Sequence, residues 1–240
     1  MLRELLVTMA GASLVHGAFA QDETNIWLRY ALRIPVNHRW TVQAEPDFRT
    51  QLSPESGAFR MWLWRVDAQR KLNDAHTVAA GFVGVRTGYD HKPTLVEWRP
   101  QLSWMYRPGI GRRDLLLRAR AEWREQQVLA DASPAIRQST LRCRLFVQRD
   151  LPIRRDNAAM RMGFRAQAEL FTRAYTTADL GFYDQLRLSM AWVMPMAERV
   201  EIELTDMWMF RDSGETQQWI RLIVSHRLAP RKDRSTTSTP

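Results

Sequence analysis

Thr94 to Arg107 reads TLVEWRPQLSWMYR, which sets Val96, Trp98, Pro100, Leu102, Trp104 and Tyr106 against Glu97, Arg99, Gln101 and Ser103. Successive side chains of a strand point to opposite faces, so this segment has one apolar and one polar face. The same period of two recurs along the chain. Trp40, Val42, Ala44 and Phe48 oppose Thr41, Gln43, Glu45 and Asp47, and Leu115 to Trp123 opposes Arg118, Arg120, Glu122 and Arg124. Leu141, Cys143, Leu145 and Val147 oppose Arg142, Arg144 and Gln148; Met160 to Leu170 opposes Arg161, Arg165, Gln167 and Glu169. Leu186 to Trp192 opposes Arg187 and Ser189, Val200 to Leu204 opposes Glu201 and Glu203, and Ile220 to Val224 opposes Arg221 and Ser225. Two less regular segments follow the pattern: Ile26 to Leu32 against Trp27, Arg29 and Arg33, and Trp62 to Ala68 against Arg65, Asp67 and Gln69. In Thr77 to Thr87 both faces are nearly apolar, so its orientation is unreadable.

Strand length decides the environment. Soluble strands average ~5 to 6 residues, whereas these segments run to about a dozen. At ~3.3 Å per residue and ~40° tilt they rise ~30 Å, enough for a ~25 Å apolar band. Charges on the apolar face, such as Arg60 and Arg70, fall at segment ends, where a lipid-facing arginine costs ~0 to 1 kcal/mol instead of ~2 to 4 at mid-bilayer. Asp206 breaks the pattern and suggests a bulge or the start of the interface. The tryptophans and tyrosines are expected mostly in girdles towards strand ends. The chain therefore reads as an all-β, antiparallel, up-and-down transmembrane β-barrel. The eleven recognisable segments imply ten or twelve wall strands, because bacterial single-chain barrels have even counts. A basic amphipathic helix over Gln148 to Thr172 is the competing reading; Pro152 and the strict face separation after Met160 argue against it.

The termini read differently. Residues 1–20 carry Arg3, an apolar stretch from Leu5 to Val15 and small residues at Ala18 and Ala20, the pattern of a signal peptide cleaved after Ala20. The barrel then covers 21–230, and 231–240, RKDRSTTSTP, reads as a disordered polar tail. Short links at Pro35–His38, Leu72–Ala75, Pro108–Arg112, Pro152–Asn157 and Pro195–Glu198 read as periplasmic turns, and longer ones at Gln51–Ala58, Tyr89–Pro93, Val128–Ile136 and Arg173–Phe182 as outer loops. That assignment makes the first segment begin at the outer rim, a parity conflict for an exported chain.

The net charge of +9 over 240 residues asks for an acidic partner. Export to the outer membrane of a Gram-negative bacterium argues against nucleic acid and leaves outer-membrane lipid, lipopolysaccharide or small anionic solutes. A single cysteine, Cys143, excludes an intramolecular disulfide. No metal or cofactor motif is present, and no cofactor is expected. The polar face nominates a lumen lined by Arg65, Arg99, Arg118, Arg120, Arg124, Arg142, Arg144, Arg161, Arg165, Arg187 and Arg221, with Glu97, Glu122 and Glu169 among them. Rings of arginine favour anions. Cross-strand ladders between Arg99 with Glu97 on one strand and Arg118 and Arg120 with Glu122 on the next would instead plug a small barrel. A membrane-embedded lipid hydrolase is the alternative function. It would need a serine and a histidine on neighbouring strands, whereas adjacent Ser225 and His226 point to opposite faces, and Asp90 with His91 makes one weak rim pair.

On these residues the chain resembles the bacterial outer-membrane β-barrel family catalogued as domain of unknown function 2490. The resemblance rests on the opening strand with Trp27, on Arg39-Trp40 leading to Asp47-Phe48-Arg49, and on central strands with alternating arginines. It continues through Glu169-Leu170-Phe171 to Phe182-Tyr183-Asp184-Gln185-Leu186-Arg187-Leu188. It implies the fold and the location, and no activity. Many such barrels end on an aromatic residue; here insertion would have to read an internal signal around Trp219 to Leu228.

Overall fold

A computed structural model describes residues 24–51, 59–89, 92–108, 114–129, 136–152, 162–178 and 180–229. The expected signal at 1–20, the tail at 231–240, Asp90, His91, Met160 and Arg161 lie outside them. The described chain is one closed barrel of eleven strands. These are β1 (Thr24–Pro35), β2 (Trp40–Gln51), β3 (Phe59–Lys71), β4 (His76–Tyr89), β5 (Lys92–Tyr106) and β6 (Leu115–Leu129). The remainder are β7 (Ile136–Pro152), β8 (Gly163–Thr176), β9 (Tyr183–Ala197), β10 (Val200–Arg211) and β11 (Thr216–Arg227). Each strand is antiparallel to its sequence neighbours, and β1 closes the wall by pairing with β11 in parallel, from Thr24 beside Gln218 to Arg33 beside Arg227.

The expectation of ten or twelve strands is thus corrected to eleven. An even count is required only when first and last strands meet antiparallel. A parallel seam admits an odd count and leaves the two ends of the wall at opposite rims. The parity conflict in the sequence is this seam.

Two hairpins show how local chemistry sets the turns. Asn37 Oδ1 accepts from the backbone N–H groups of Arg39 and Trp40, both at 2.9 Å. Asn73 Oδ1 does the same for Ala75 and His76, at 3.0 and 2.8 Å. In each case an asparagine amide stands in for a backbone acceptor and closes the link. We call the end of the barrel bearing these links the turn rim and the opposite end the loop rim. Link length does not separate the rims as expected. At the loop rim β4 and β5 run on to Tyr89 and Lys92, which pair with each other. At the turn rim the connection from Pro152 to Gly163 is long, and β8 starts at Gly163, later than the expected Met160.

Alternation places the apolar face outward. Trp62, Leu102 and Leu145 are 61, 65 and 59% exposed on the outer wall, while their neighbours in sequence Leu63, Gln101 and Arg144 are buried. In β4 the inner side is Ala79, Val83, Val85 and Thr87. Gly81 lies on that side too; a Cβ there would stand 1.8 Å from Asp67 Oδ1. On the outer side Gly84 lies beneath the Trp64 indole, within a group in which Trp64, Phe82 and Trp98 make ring contacts of 5.5–6.0 Å. These rings belong to mid-strand positions, unlike the girdle expected for Trp98. Asp206 faces outward without a bulge, its register with Ile220 and Met190 unbroken, because Gln218 Nε2 donates to its carboxylate at 2.9 Å.

Candidate functional site

The barrel interior holds the concentration of charge, and it divides into two halves. Towards the loop rim it is filled. Glu97, 1% exposed, accepts from Arg99 Nη2 at 2.6 Å, from Arg124 and from Gln126. Glu122, also 1% exposed, receives Arg142 Nη2 at 2.7 Å and Arg144 Nη1, with Arg120 at 3.8 Å. Glu169 accepts from Arg144 Nη2 at 2.6 Å and Arg118 Nη2 at 3.1 Å, with Arg187 at 3.9 Å. Arg144 thus bridges Glu122 on β6 and Glu169 on β8 across its own strand. A buried carboxylate is tolerable only when cations and hydrogen-bond donors compensate its lost hydration, and each of these has two or more.

Other carboxylates repeat the arrangement. Glu45 meets Arg65 at 2.7 Å and Arg29 at 3.5 Å, and Asp47 meets Arg29 at 2.9 Å and Arg49 at 3.1 Å. Glu203 accepts from Arg221 at 3.0 Å and from Arg165. At the loop rim Arg173 ties Asp184 to Asp212, at 2.7 Å each.

Aromatic rings complete the filling. The Trp27 ring has the guanidinium of Arg49 at 3.6 Å, Arg29 at 4.8 Å, Arg221 at 5.2 Å and Arg187 at 5.9 Å from its centroid. Phe171, fully buried, has Arg187, Arg144 and Arg142 at 4.4, 4.5 and 4.9 Å. The negative face of an aromatic ring attracts these cations, more strongly where water is excluded. Inward apolar groups seal the rest: Trp27, Met207, Met209 and Trp219 with Phe59 on one wall, and Leu63, Val83 and Val85 with Met61 on another.

Towards the turn rim the interior opens into a chamber of about 530 Å³. Trp27, Met207, Arg144 and Glu169 line its deep part, and Arg33, Arg107, Arg199 and Arg227 line its mouth. Twelve arginines and eight carboxylates line it in all, so its walls carry a surplus of positive charge.

Of the residues nominated from sequence, Arg65, Arg99, Arg120, Arg142, Arg144, Arg221, Glu97, Glu122 and Glu169 are buried inside the wall. Arg118, Arg124, Arg165 and Arg187 are partly buried; Arg118 and Arg124 bond Glu169 and Glu97, Arg165 bonds Glu203, and Arg187 stands 3.9 Å from Glu169. Arg161 lies outside the described residues. Arg99 pairs with Glu97 within β5 and Arg120 with Glu122 within β6, the cross-strand contact to Glu97 comes from Arg124, and Arg118 reaches Glu169 instead of Glu122. Missing from the nominations are the ring plates Trp27 and Phe171 and the pairs of Arg29 and Arg49 with Asp47. Their signal was present: Trp27 shares a face with Arg29, as Phe171 does with Glu169, and an aromatic residue on an otherwise charged face marks a stacking position.

Among the described residues, no serine and histidine meet as a hydrolase would need. Ser103 Oγ accepts from Arg120 at 2.8 Å, and Ser189 Oγ donates to Gln167 at 3.1 Å. His76 stacks on Trp104 and Tyr106 on the outer wall, and His226 bonds Tyr30 at 2.9 Å.

Among solved structures, the NanC porin in a rhombohedral crystal form superposes with a TM-score of 0.50 at 14% identity, over 84% of this chain and 99% of that one. The siderophore receptor PirA from Pseudomonas aeruginosa aligns with a TM-score of 0.33 at 10% identity, over 78% of this chain and 34% of the receptor. The first likeness is one of fold. No curated protein matches the chain. The model of the family described as a protein of unknown function, DUF2490, matches residues 24–220, and the chain belongs to that family.

Proposed function

We propose that the protein is an outer-membrane β-barrel that acts as a narrow, anion-favouring pore, with its lumen constricted by the Arg144–Glu122–Glu169 network and its aromatic plates. The outer wall supports the membrane location. Strands of twelve to seventeen residues carry exposed tryptophan and leucine outward, long enough at ~40° tilt to cross a ~25 Å apolar band. Surrounding lipid, including lipopolysaccharide, would cover that surface. The observation that carries the anion reading is the surplus of arginine over carboxylate in the chamber. A low-dielectric wall around fixed positive charge raises the local concentration of anions. The bonded plug makes the conducting path smaller than that of a water-filled porin. Residues 1–20 would direct export and be removed.

Two measurements test this. The folded protein, run unheated and boiled on a denaturing gel, should shift in mobility. In planar bilayers it should show small conductance steps whose reversal potential in a chloride gradient reports anion preference. Absence of the mobility shift, or a cation preference, overturns the proposal.

A further inference from the structure

The chamber mouth contains an arrangement that folding alone does not explain. Arg33, near the end of β1, and Arg227, at the end of β11, are direct register partners across the parallel seam. Both line the chamber, and both are exposed. Like charges directly opposite on neighbouring strands are destabilising. A third joins them: the backbone N–H of Arg227 donates to Arg199 O at 2.9 Å, and that of Leu228 to Arg33 O at 2.9 Å. This draws the β9–β10 turn and its Arg199 against the seam. Among the described residues none of the three has an ion-pair partner. Glu201, which also lines the mouth, is engaged by Arg165 at 3.4 Å, and Glu198 precedes Arg199 in the turn. Arg107, which also lines the mouth, feels both the Asp150 carboxylate and the repulsion of Arg33. Deeper in, the Nε–H groups of Arg65 and Arg221, residues 7 and 8% exposed in the chamber wall, have no acceptor. Over the chamber as a whole, twelve arginines stand against eight carboxylates.

We propose that Arg33, Arg199 and Arg227 form a docking site at the turn-rim mouth for a multiply charged oxyanion of the phosphate type. Several guanidinium forks around one opening suit an anion with oxygens on more than one side, since each fork can donate two parallel hydrogen bonds. The ligand is a solute and not a lipid phosphate, because these side chains face the chamber instead of the apolar outer wall. This rests on the anion-favouring reading and adds the site and the ligand class to it.

The test uses the folded full-length barrel in detergent at low salt, with inorganic pyrophosphate as probe and calorimetric titration as readout. Wild type should bind, and the double variant Arg33→Gln/Arg227→Gln should bind at least tenfold more weakly while keeping its gel mobility shift. The variant Arg60→Gln/Arg86→Gln, which removes outward charges near the loop rim, should bind as wild type. No binding by wild type, or equal binding by the mouth variant, overturns the site, as does tighter binding of a short-chain phosphatidic acid than of pyrophosphate. Chloride selectivity, measured without pyrophosphate, separates the two claims. Selectivity without pyrophosphate binding removes the site alone, and binding through Arg33 and Arg227 without selectivity removes the pore reading alone.

Discussion

Replacing Glu122 with glutamine probes the plug most directly. The carboxylate is 1% exposed and holds Arg142 through two hydrogen bonds at 2.7 and 3.1 Å, Arg144 through one, and Arg120 at 3.8 Å. Glutamine preserves the shape and removes the charge, leaving three guanidinium groups facing a neutral amide. Removing one partner of a buried ion pair typically costs ~3 to 5 kcal/mol, because the remaining charge stays desolvated. At ~1.4 kcal/mol per decade that is about two to four decades in the unfolding equilibrium. Guanidinium unfolding of the refolded barrel in detergent, followed by the gel mobility shift and tryptophan fluorescence, measures it. The exposed pair Lys71–Asp74 provides the control, since its members are 50 and 100% exposed and Asp74→Asn should leave the midpoint unchanged. Glu122→Gln should also raise the anion preference in bilayers, as the lumen gains one net positive charge. A midpoint within error of wild type, with unaltered conductance, would refute the claim that Glu122 organises the plug.

Three further outcomes follow from the same barrel. Gly81→Val should abolish refolding into the heat-modifiable form, since the new Cβ would meet Asp67 Oδ1 at 1.8 Å and the Val66 carbonyl at 2.6 Å; Gly84→Val, whose nearest contacts are all with the movable Trp64 ring, should refold in reduced yield, and equal yields would contradict the packing of β3 on β4. An epitope inserted before Thr24 and another after Leu228 should be reached by antibody from opposite faces of the membrane, because eleven strands end at opposite rims; labelling of both from one face would exclude the β1–β11 seam. Trp27→Ala should cost ~3 to 5 kcal/mol of stability as a buried large-to-small change and should enlarge the bilayer conductance step, because four guanidiniums lose their plate; an unchanged step size would place the constriction elsewhere.

Much of the wall was legible in the sequence because one rule governs it: side chains alternate across a strand, and here the two faces differ in chemistry. Arg99 and Trp98 differ so strongly in chemistry that their sides are unmistakable. Thr77 to Thr87 defeated that rule because its inner residues Ala79, Val83 and Val85 are as apolar as its outer ones. Only the packing of Val83 and Val85 on Leu63 distinguishes them. Asp206 misled for the converse reason: its compensating partner, Gln218, comes from the next strand.

By itself, then, the sequence determined the all-β class, the strand segments, most of the inward charges and the family. Each follows from local alternation or from motif, and neither needs knowledge of which strands meet. Tertiary structure alone decided the odd count and parallel seam, the pairing of Arg144 with both Glu122 and Glu169, and the assembly of Arg33, Arg199 and Arg227 at one mouth. Those depend on register and closure, which bring together positions as distant in the chain as Arg33 and Arg227, and no local pattern encodes the partner of a charge across a barrel.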